Sequence, residues 1–308
     1  MRTAFIESLC EAAAGDPNIW LLTGDLGYSV LEVFSQRFPD RYVNVGVAEQ
    51  NMMGVAAGLA MSGKTVVAYS IVNFVTLRCL EQIRCDICYH GASVKIVGVG
   101  GGYAYGALGH THHGIEDLSV LGSMPGIDVV APADPIETRL AVQTLLQRKG
   151  PAYLRLGKAG EPKVHQNSPA FGVGSIVPVR EGRDVLFITT GGLLEEALRA
   201  SQQLVAAGLD PAVWSNPWLR PFDVARVTAA AKDFAVIVTA EEGVITGGLG
   251  ARVAQIISGM EGSRARHIGV GVPPEVGPSA LSQKAARARF GLDANALAAQ
   301  ALAAMKRS

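Results

Sequence analysis

The chain has 308 residues, long enough for two domains that each bury a sizeable core. Hydrophobic residues make up 49% and charged residues only 18%, a balance that predicts part of the surface to be covered by another subunit. Lys plus Arg equals Asp plus Glu at 27 each, which excludes a global electrostatic pull toward nucleic acid or a membrane surface.

The first residues, Met1-Arg-Thr-Ala-Phe-Ile-Glu-Ser, carry no charged segment followed by an apolar one, and no stretch approaches the roughly 18 apolar residues of a membrane span. A soluble, cytoplasmic protein is expected. Four cysteines in a chain of this length do not form a disulfide framework. Cys85 and Cys88 make one C-x-x-C within a helix-like run, with no second pair at metal-ligand spacing, so they are expected to be core thiols.

In chain order, the first half alternates helix-like and strand-like segments, the pattern of α/β layering on a largely parallel sheet. Strands are predicted at 19–23, 42–47, 65–69, 94–99, 127–130 and 152–156, with helices at 3–14, 30–37, 50–62, 74–90, 116–122 and 135–148. Glu49 falls near a strand-to-helix junction, ahead of the close-packed spacing of Met53, Ala56, Ala57 and Ala60. A carboxyl there has two futures. It can cap free N–H groups of the helix, or it can sit in an apolar pocket, where desolvation favours its protonated form, and hold a ligand nitrogen through that proton.

Further along, Leu108-Gly-His-Thr-His-His-Gly places three histidines in four positions. Zinc is one reading, although zinc ligands usually come from separated elements. The preceding run Gly98-Val-Gly-Gly-Gly-Tyr-Ala-Tyr-Gly lets the backbone approach a ligand closely. Asp134-Pro135 reads as a helix cap followed by proline in the first turn.

From Lys158 to about Ser175 glycines and prolines break the pattern, which predicts domains at 1–160 and 176–308 joined by a linker at 161–175. A second alternation follows, with strands at 184–190, 211–214, 234–240 and 267–271 and helices near 193–206, 222–230 and 248–258. The run Ala240-Glu-Glu-Gly-Val-Ile-Thr-Gly-Gly-Leu-Gly lacks both G-x-G-x-x-G and a P-loop lysine, so a phosphate loop is not assigned there.

Five segments together, Thr23-Gly-Asp-Leu-Gly, Asn44-Val-Gly-Val-Ala-Glu-Gln-Asn-Met-Met-Gly, Glu81-Gln-Ile-Arg, Thr111-His-His and Ala131-Pro-Ala-Asp-Pro, resemble the transketolase family in order and spacing. The resemblance covers essentially the whole chain and implies a pyrimidine-binding domain followed by the transketolase C-terminal domain, each a three-layer α/β unit on a parallel sheet. It also implies thiamine diphosphate as cofactor. In that family the cofactor's own 4′-amino group removes a proton from its thiazolium, and a carboxyl sharing a proton with the pyrimidine N1′ makes that amino group basic. Glu49 matches this carboxyl, Phe74 the ring that stacks on the pyrimidine, and His112 the histidine beside the substrate carbonyl. Arg2, Ser29 and Lys158 match two arginines and a serine that hold a substrate phosphate, the lysine without the guanidinium fork. His113 is left to orient the loop or to serve packing, and the role of His110 stays open.

Departures from the family pattern shape the expected activity. The usual magnesium-diphosphate grip, a Gly-Asp-Gly followed by Asn-Asn, is only imitated by Gly24-Asp25 and Asn51, because Leu26 and Gln50 stand at the other positions. The resemblance therefore implies that Mg2+ and the diphosphate are held by a separate N-terminal subunit, in an α2β2 heterotetramer, with no metal ligand on this chain. Two pocket aromatics are replaced by Ile71 and Leu77. The family histidine and aspartate that touch donor hydroxyls fall on Gly100 and Leu108, so the two-carbon ketol donor is expected to be a sugar or sugar phosphate other than xylulose 5-phosphate. Rival readings are a 1-deoxyxylulose-5-phosphate-synthase-like subunit, a 2-oxoacid dehydrogenase β-type subunit, and a non-catalytic scaffold. Joint retention of Glu49, Phe74 and His112 weighs against the last.

Overall fold

In the computed structural model, which describes residues 1–262, 264–275 and 279–306, the described residues form twelve strands. They are β1 (Ile19–Thr23), β2 (Tyr42–Asn44), β3 (Thr65–Ile71), β4 (Val94–Val99), β5 (Asp128–Val130), β6 (Ala152–Leu156), β7 (Val177–Arg180), β8 (Val185–Thr189), β9 (Pro211–Ser215), β10 (Trp218–Arg220), β11 (Val236–Val244) and β12 (Arg266–Val272). They make two sheets, of order β10-β5-β6-β4-β3-β1-β2 and β12-β11-β8-β9-β7. Every pairing is parallel except those of the edge strands β10 and β7. The expected pair of α/β layers on parallel sheets is thus present, with an antiparallel edge on each sheet.

The strand Val94–Val99, apolar apart from Lys95, is buried along its whole length, as a parallel sheet covered on both faces requires. The helices Arg2–Gly15 and Pro135–Gln147 pack on one face of the first sheet around Phe5, Leu9, Val97 and Leu154. The helix Glu49–Met61 covers the other face around Met53, Ala56, Val66 and Ile96. Asp134 caps Pro135–Gln147 as its sequence predicts, its Oδ1 accepting from the amides of Ile136 and Glu137 at 2.9 and 2.8 Å.

Strand β10 comes from the second half of the chain yet extends the first sheet, and Trp218 is fully buried in the first core. The two halves are therefore stitched rather than merely tethered. Glu242 at the C-terminal end of β11 strengthens the seam: Oε1 accepts from the Tyr103 amide at 2.7 Å and Oε2 from Arg287 Nε at 2.7 Å. Its neighbour Glu241 accepts from the amides of Leu249 and Gly250, both at 2.8 Å, at the start of the helix Leu249–Ser258. A carboxylate thus occupies the place a phosphate would take at that helix end.

Several expected elements are modified for physical reasons. The strand predicted over 42–47 ends at Asn44, because Gly46 turns the chain at φ +75° and Asn44 Oδ1 accepts from its amide. The helix predicted over 74–90 breaks at Thr76 (φ −113°, ψ −80°) into the short helix Val72–Val75, a 3-10 turn Leu77–Cys79, the turn Leu80–Gln82 and a π-helical turn Ile83–Cys88. Cys88 lies against the core with Met124, but Cys85 is half-buried and its thiol donates to Glu81 Oε1 at 3.1 Å, so it is not a core thiol. The helices Gln283–Arg289 and Ala294–Met305 complete the second domain. Among the described residues no helix is long and apolar enough to cross a membrane.

Candidate active site

Glu49 is the first residue of its helix and is 1% exposed. Its carboxyl does not cap the helix. Oε1 accepts from Ser70 Oγ at 3.1 Å, Ser70 being at the buried C-terminal end of β3, and Oε2 accepts from Arg78 Nη1 at 2.7 Å. Glycine at position 24, just past β1, makes room for it: a Cβ there would lie 3.2 Å from Glu49 Oε1.

Arg78 does more than pair with the carboxylate. Its guanidinium carbon stands 4.4 Å from the centroid of the Phe74 ring, a cation–π arrangement. The ring of His112 meets Phe74 edge to face, with centroids 5.3 Å apart and planes at 70°. The structure therefore links Glu49, Phe74 and His112 in one contiguous site, with Arg78 bridging the first two.

Asn73 fixes the histidine loop. Its Nδ2 donates to the carbonyls of Thr111 and His113 at 3.1 and 2.9 Å. Thr111 Oγ1 lies 2.9 Å from His112 Nδ1, and Nε2 has no hydrogen-bond partner among the described residues. The other histidines point elsewhere: His113 is buried, with Nε2 3.1 Å from the Gly106 carbonyl and its ring against Tyr103, while His110 is exposed. Among the described residues no group of three or more His, Cys, Asp or Glu side chains is placed to hold a metal.

The residues matched to a phosphate grip are not joined to one another by any hydrogen bond or ion pair among the described residues. Arg2 lies beside Tyr69 and Tyr105; burial raises both phenols, and the nearby Arg2 cation opposes that rise. Ser29 is exposed at φ +63°, its amide donating to Glu32 Oε1 at 2.8 Å. Lys158 is exposed at the mouth of a cleft of about 150 Å³ between the domains, lined also by Gly101, Arg155, Glu161, Thr190 and Glu242. Asp25, half of the imitated diphosphate motif, is bound instead to Asn44, whose Nδ2 donates to Asp25 Oδ1 at 3.0 Å.

Ser70, Asn73 and Arg78 are the functional candidates that sequence reasoning missed. A signal existed for Arg78, four residues after Phe74 in a helix-like run, the spacing at which side chains meet. Ser70 and Asn73 flank the strand-to-helix turn but carry no periodic mark.

The residues present fit one half of thiamine diphosphate, its aminopyrimidine. The slot between Glu49 and Phe74 accommodates a flat, delocalised group with N–H edges, the Arg78 guanidinium, which is the shape and polarity an aminopyrimidine would bring. A buried carboxyl oriented by a hydroxyl suits a ring nitrogen that shares a proton.

Comparison with known proteins agrees with this chemistry. Residues 1–161 match the pyrimidine-binding domain of transketolase, and residues 174–297 match the transketolase C-terminal domain. An apulose-4-phosphate transketolase subunit from Phocaeicola vulgatus is 38% identical over 259 residues, 83% of each chain. The 6-deoxy-6-sulfo-D-fructose transketolase subunit SqwH of Clostridium sp. (strain MSTE9) is 35% identical, over 83% of this chain and 80% of that one. A solved structure described as a split gene transketolase, inactive beta4 tetramer, superimposes with a TM-score of 0.88 at 34% identity, covering 99% of this chain and 97% of that one.

Proposed function

Because the chain belongs to the transketolase family, a thiamine-diphosphate-dependent family of transferases, we propose that it is the pyrimidine-side subunit of a two-chain transketolase. It takes part in moving a two-carbon ketol unit from a ketose donor to an aldose acceptor. The observation that carries this reading is the slot formed by Glu49, Ser70 and Phe74.

Thiamine diphosphate, when bound, supplies the nucleophilic carbon on which the reaction depends. Glu49 holds the proton that is shared with N1′ of its pyrimidine, Ser70 orients that carboxyl, and Phe74 packs on the face of the ring, worth about 0.5–1.5 kcal/mol beyond area burial. His112, edge-on to Phe74, hydrogen-bonds the substrate carbonyl oxygen and moves a proton there. Arg2, Ser29 and Lys158 are assigned to a phosphate or other anionic group of the substrate. Support comes from the two cations and from Lys158 having no ion-pair partner among the described residues.

Magnesium and the diphosphate belong, in this reading, to a separate N-terminal subunit, and the active form is an α2β2 heterotetramer. The names of the relatives, both single subunits, and the inactive all-β tetramer support this. The relatives are named for apulose 4-phosphate and 6-deoxy-6-sulfo-D-fructose, which supports a specialised ketose as donor. The four thiols are unpaired, the form a reducing compartment maintains, and we place the enzyme in the cytoplasm.

The test is to mix the chain with its N-terminal partner and follow the circular-dichroism signal of bound thiamine diphosphate together with ketol transfer across a panel of ketoses. Wild-type mixtures should show both, and Glu49→Gln should lose at least about 10²-fold of the transfer rate. Full activity in Glu49→Gln, or no coenzyme signal in the wild-type mixture, overturns the proposal.

A further inference from the structure

The Arg78 guanidinium makes, within one side chain, both contacts that the proposed function reserves for the coenzyme ring. It donates to Glu49 Oε2 at 2.7 Å and lies over Phe74 at 4.4 Å. Oε1 of Glu49 is already taken by Ser70, and Gly24 closes the carboxyl from the side of β1. Oε2 is the acceptor left for a ligand, and Arg78 holds it. A pyrimidine and this guanidinium cannot share the slot.

The two partners differ sharply in freedom. Glu49 is 1% exposed at its side chain, whereas Arg78 is 43% exposed, and among the described residues Glu49 is its only acidic partner. Arg78 sits in the single 3-10 turn Leu77–Cys79, directly after the break at Thr76, so it is not held by a continuous helix. The remaining neighbours of the pair do not replace the cation. Ser70 is neutral, His112 makes its ring contact with Phe74, and the Cys79 thiol is pushed up to about 12 by burial and by Glu49, which leaves it uncharged.

We infer that Arg78 is a displaceable stand-in for the aminopyrimidine. In the unloaded subunit it neutralises the buried carboxylate and fills the space against Phe74, and it swings toward solvent when the coenzyme ring enters. The inference rests on the reading of this site as a thiamine diphosphate half-site. Its physical basis is that a buried carboxylate left without a cation is costly, and the guanidinium supplies both that charge and a flat group against Phe74. Its consequence is that the measured affinity is the intrinsic one reduced by the fraction of time the slot stands free.

The experiment uses the assembled two-chain protein with magnesium, and measures thiamine diphosphate binding by calorimetry and its association rate by stopped-flow fluorescence. Wild type, Arg78→Ala and Arg78→Gln are compared, each checked for assembly by gel filtration. If Arg78 fills the slot about nine-tenths of the time, Arg78→Ala binds about tenfold more tightly, with a faster association rate, and Arg78→Gln lies between. Should Arg78→Ala fail to assemble, Arg78→Gln carries the comparison. Equal or weaker binding in the variants overturns the inference while leaving the proposed function intact. Absence of binding to the wild-type assembly removes both.

Discussion

Gly24 and Glu49 are in such close register that a single added methyl at position 24 would stand 3.2 Å from Oε1 and 3.3 Å from Cγ of the glutamate. Gly24 has no need of a left-handed backbone, so its value is space. The carboxyl is pressed from that side onto Ser70. Gly24→Ala should therefore displace the carboxyl by a few tenths of an ångström without unfolding the chain. Since a misplacement of about 1 Å at a catalytic group costs up to about 10²-fold, a loss near tenfold in kcat is expected for Ala and a larger one for Val. The overpacking costs about 1–3 kcal/mol of stability. Unchanged kcat in Gly24→Val, measured with the partner subunit present, would show that the carboxyl position is not held this way.

Asn73 is expected to act through His112. Its amide ties Thr111 and His113 on either side of that residue, and each lost bond is worth about 0.5–1.5 kcal/mol. Asn73→Ala should lower kcat about tenfold while leaving thiamine diphosphate affinity near wild type, and His112→Ala should lower it further. The double variant is the decisive measurement. If Asn73 only positions the histidine, Asn73→Ala in a His112→Ala background has almost no additional effect; multiplicative losses would give it an independent role.

Much of this arrangement was legible in the chain itself because the relevant signals are local. The βα junction before Glu49, the capped helix after Asp134 and the apolar runs of the central strands follow from periodicity and end chemistry. What was not legible depends on tertiary context. Trp218–Arg220 is three residues between Pro217 and Pro221, with no period to read, and becomes a strand only because the edge of β5 is there to pair with. The helix Ala294–Met305 is too rich in alanine for its buried side to contrast with its exposed one, although Asp293 caps it. The break at Thr76 hides inside a helical pattern, and with it the return of Arg78 onto Phe74. Arg2, Ser29 and Lys158 share a family register, but the structure leaves each on a separate segment with its own neighbours.

Donor choice should differ from that of an ordinary transketolase. At Gly100, φ is +89° and an added Cβ would run into the Tyr105 ring, so the position is filled by an aromatic from within its own loop. Leu108 is 61% exposed and offers no polar group. By the family resemblance these positions would carry two contacts to donor hydroxyls, which a glycine and a leucine cannot make, each worth about 0.5–1.5 kcal/mol. The assembled enzyme should thus use xylulose 5-phosphate with ribose 5-phosphate roughly ten- to a hundredfold less efficiently, by kcat/KM, than its preferred ketose. Equal efficiency on the common pair would contradict the assignment of these positions.

Stability of the isolated chain should decline as pH rises from about 5 to 8, for reasons remote from the candidate site. Burial pushes the Glu137 and Glu241 carboxyls up to about 7 from an ordinary value of 4.5. Between those values the folded chain binds protons that the unfolded chain has released, so folding loses stability with rising pH, by up to about 1.4 kcal/mol per pH unit for each fully linked proton. His165 adds the same sign. Burial lowers its pKa, but the hydrogen bond to Asp134 and the charge of Glu137 outweigh this and raise it above 6.5. Its stabilisation is complete below that value and is lost as pH climbs through the folded one. Asp134 is lowered despite burial, by His165 and by backbone amides, so its contribution is lost only in acid below this window. His267, lowered to about 4 by burial, acts with the opposite sign below 6.5 but offsets only one of the two glutamates, so calorimetric melting between pH 5 and 8 should still show a falling Tm. Glu241→Gln keeps one acceptor for the amides of Leu249 and Gly250 but cannot titrate, and should flatten the slope. A slope equal to wild type in that variant would mean that Glu241 binds the same number of protons folded and unfolded across this range.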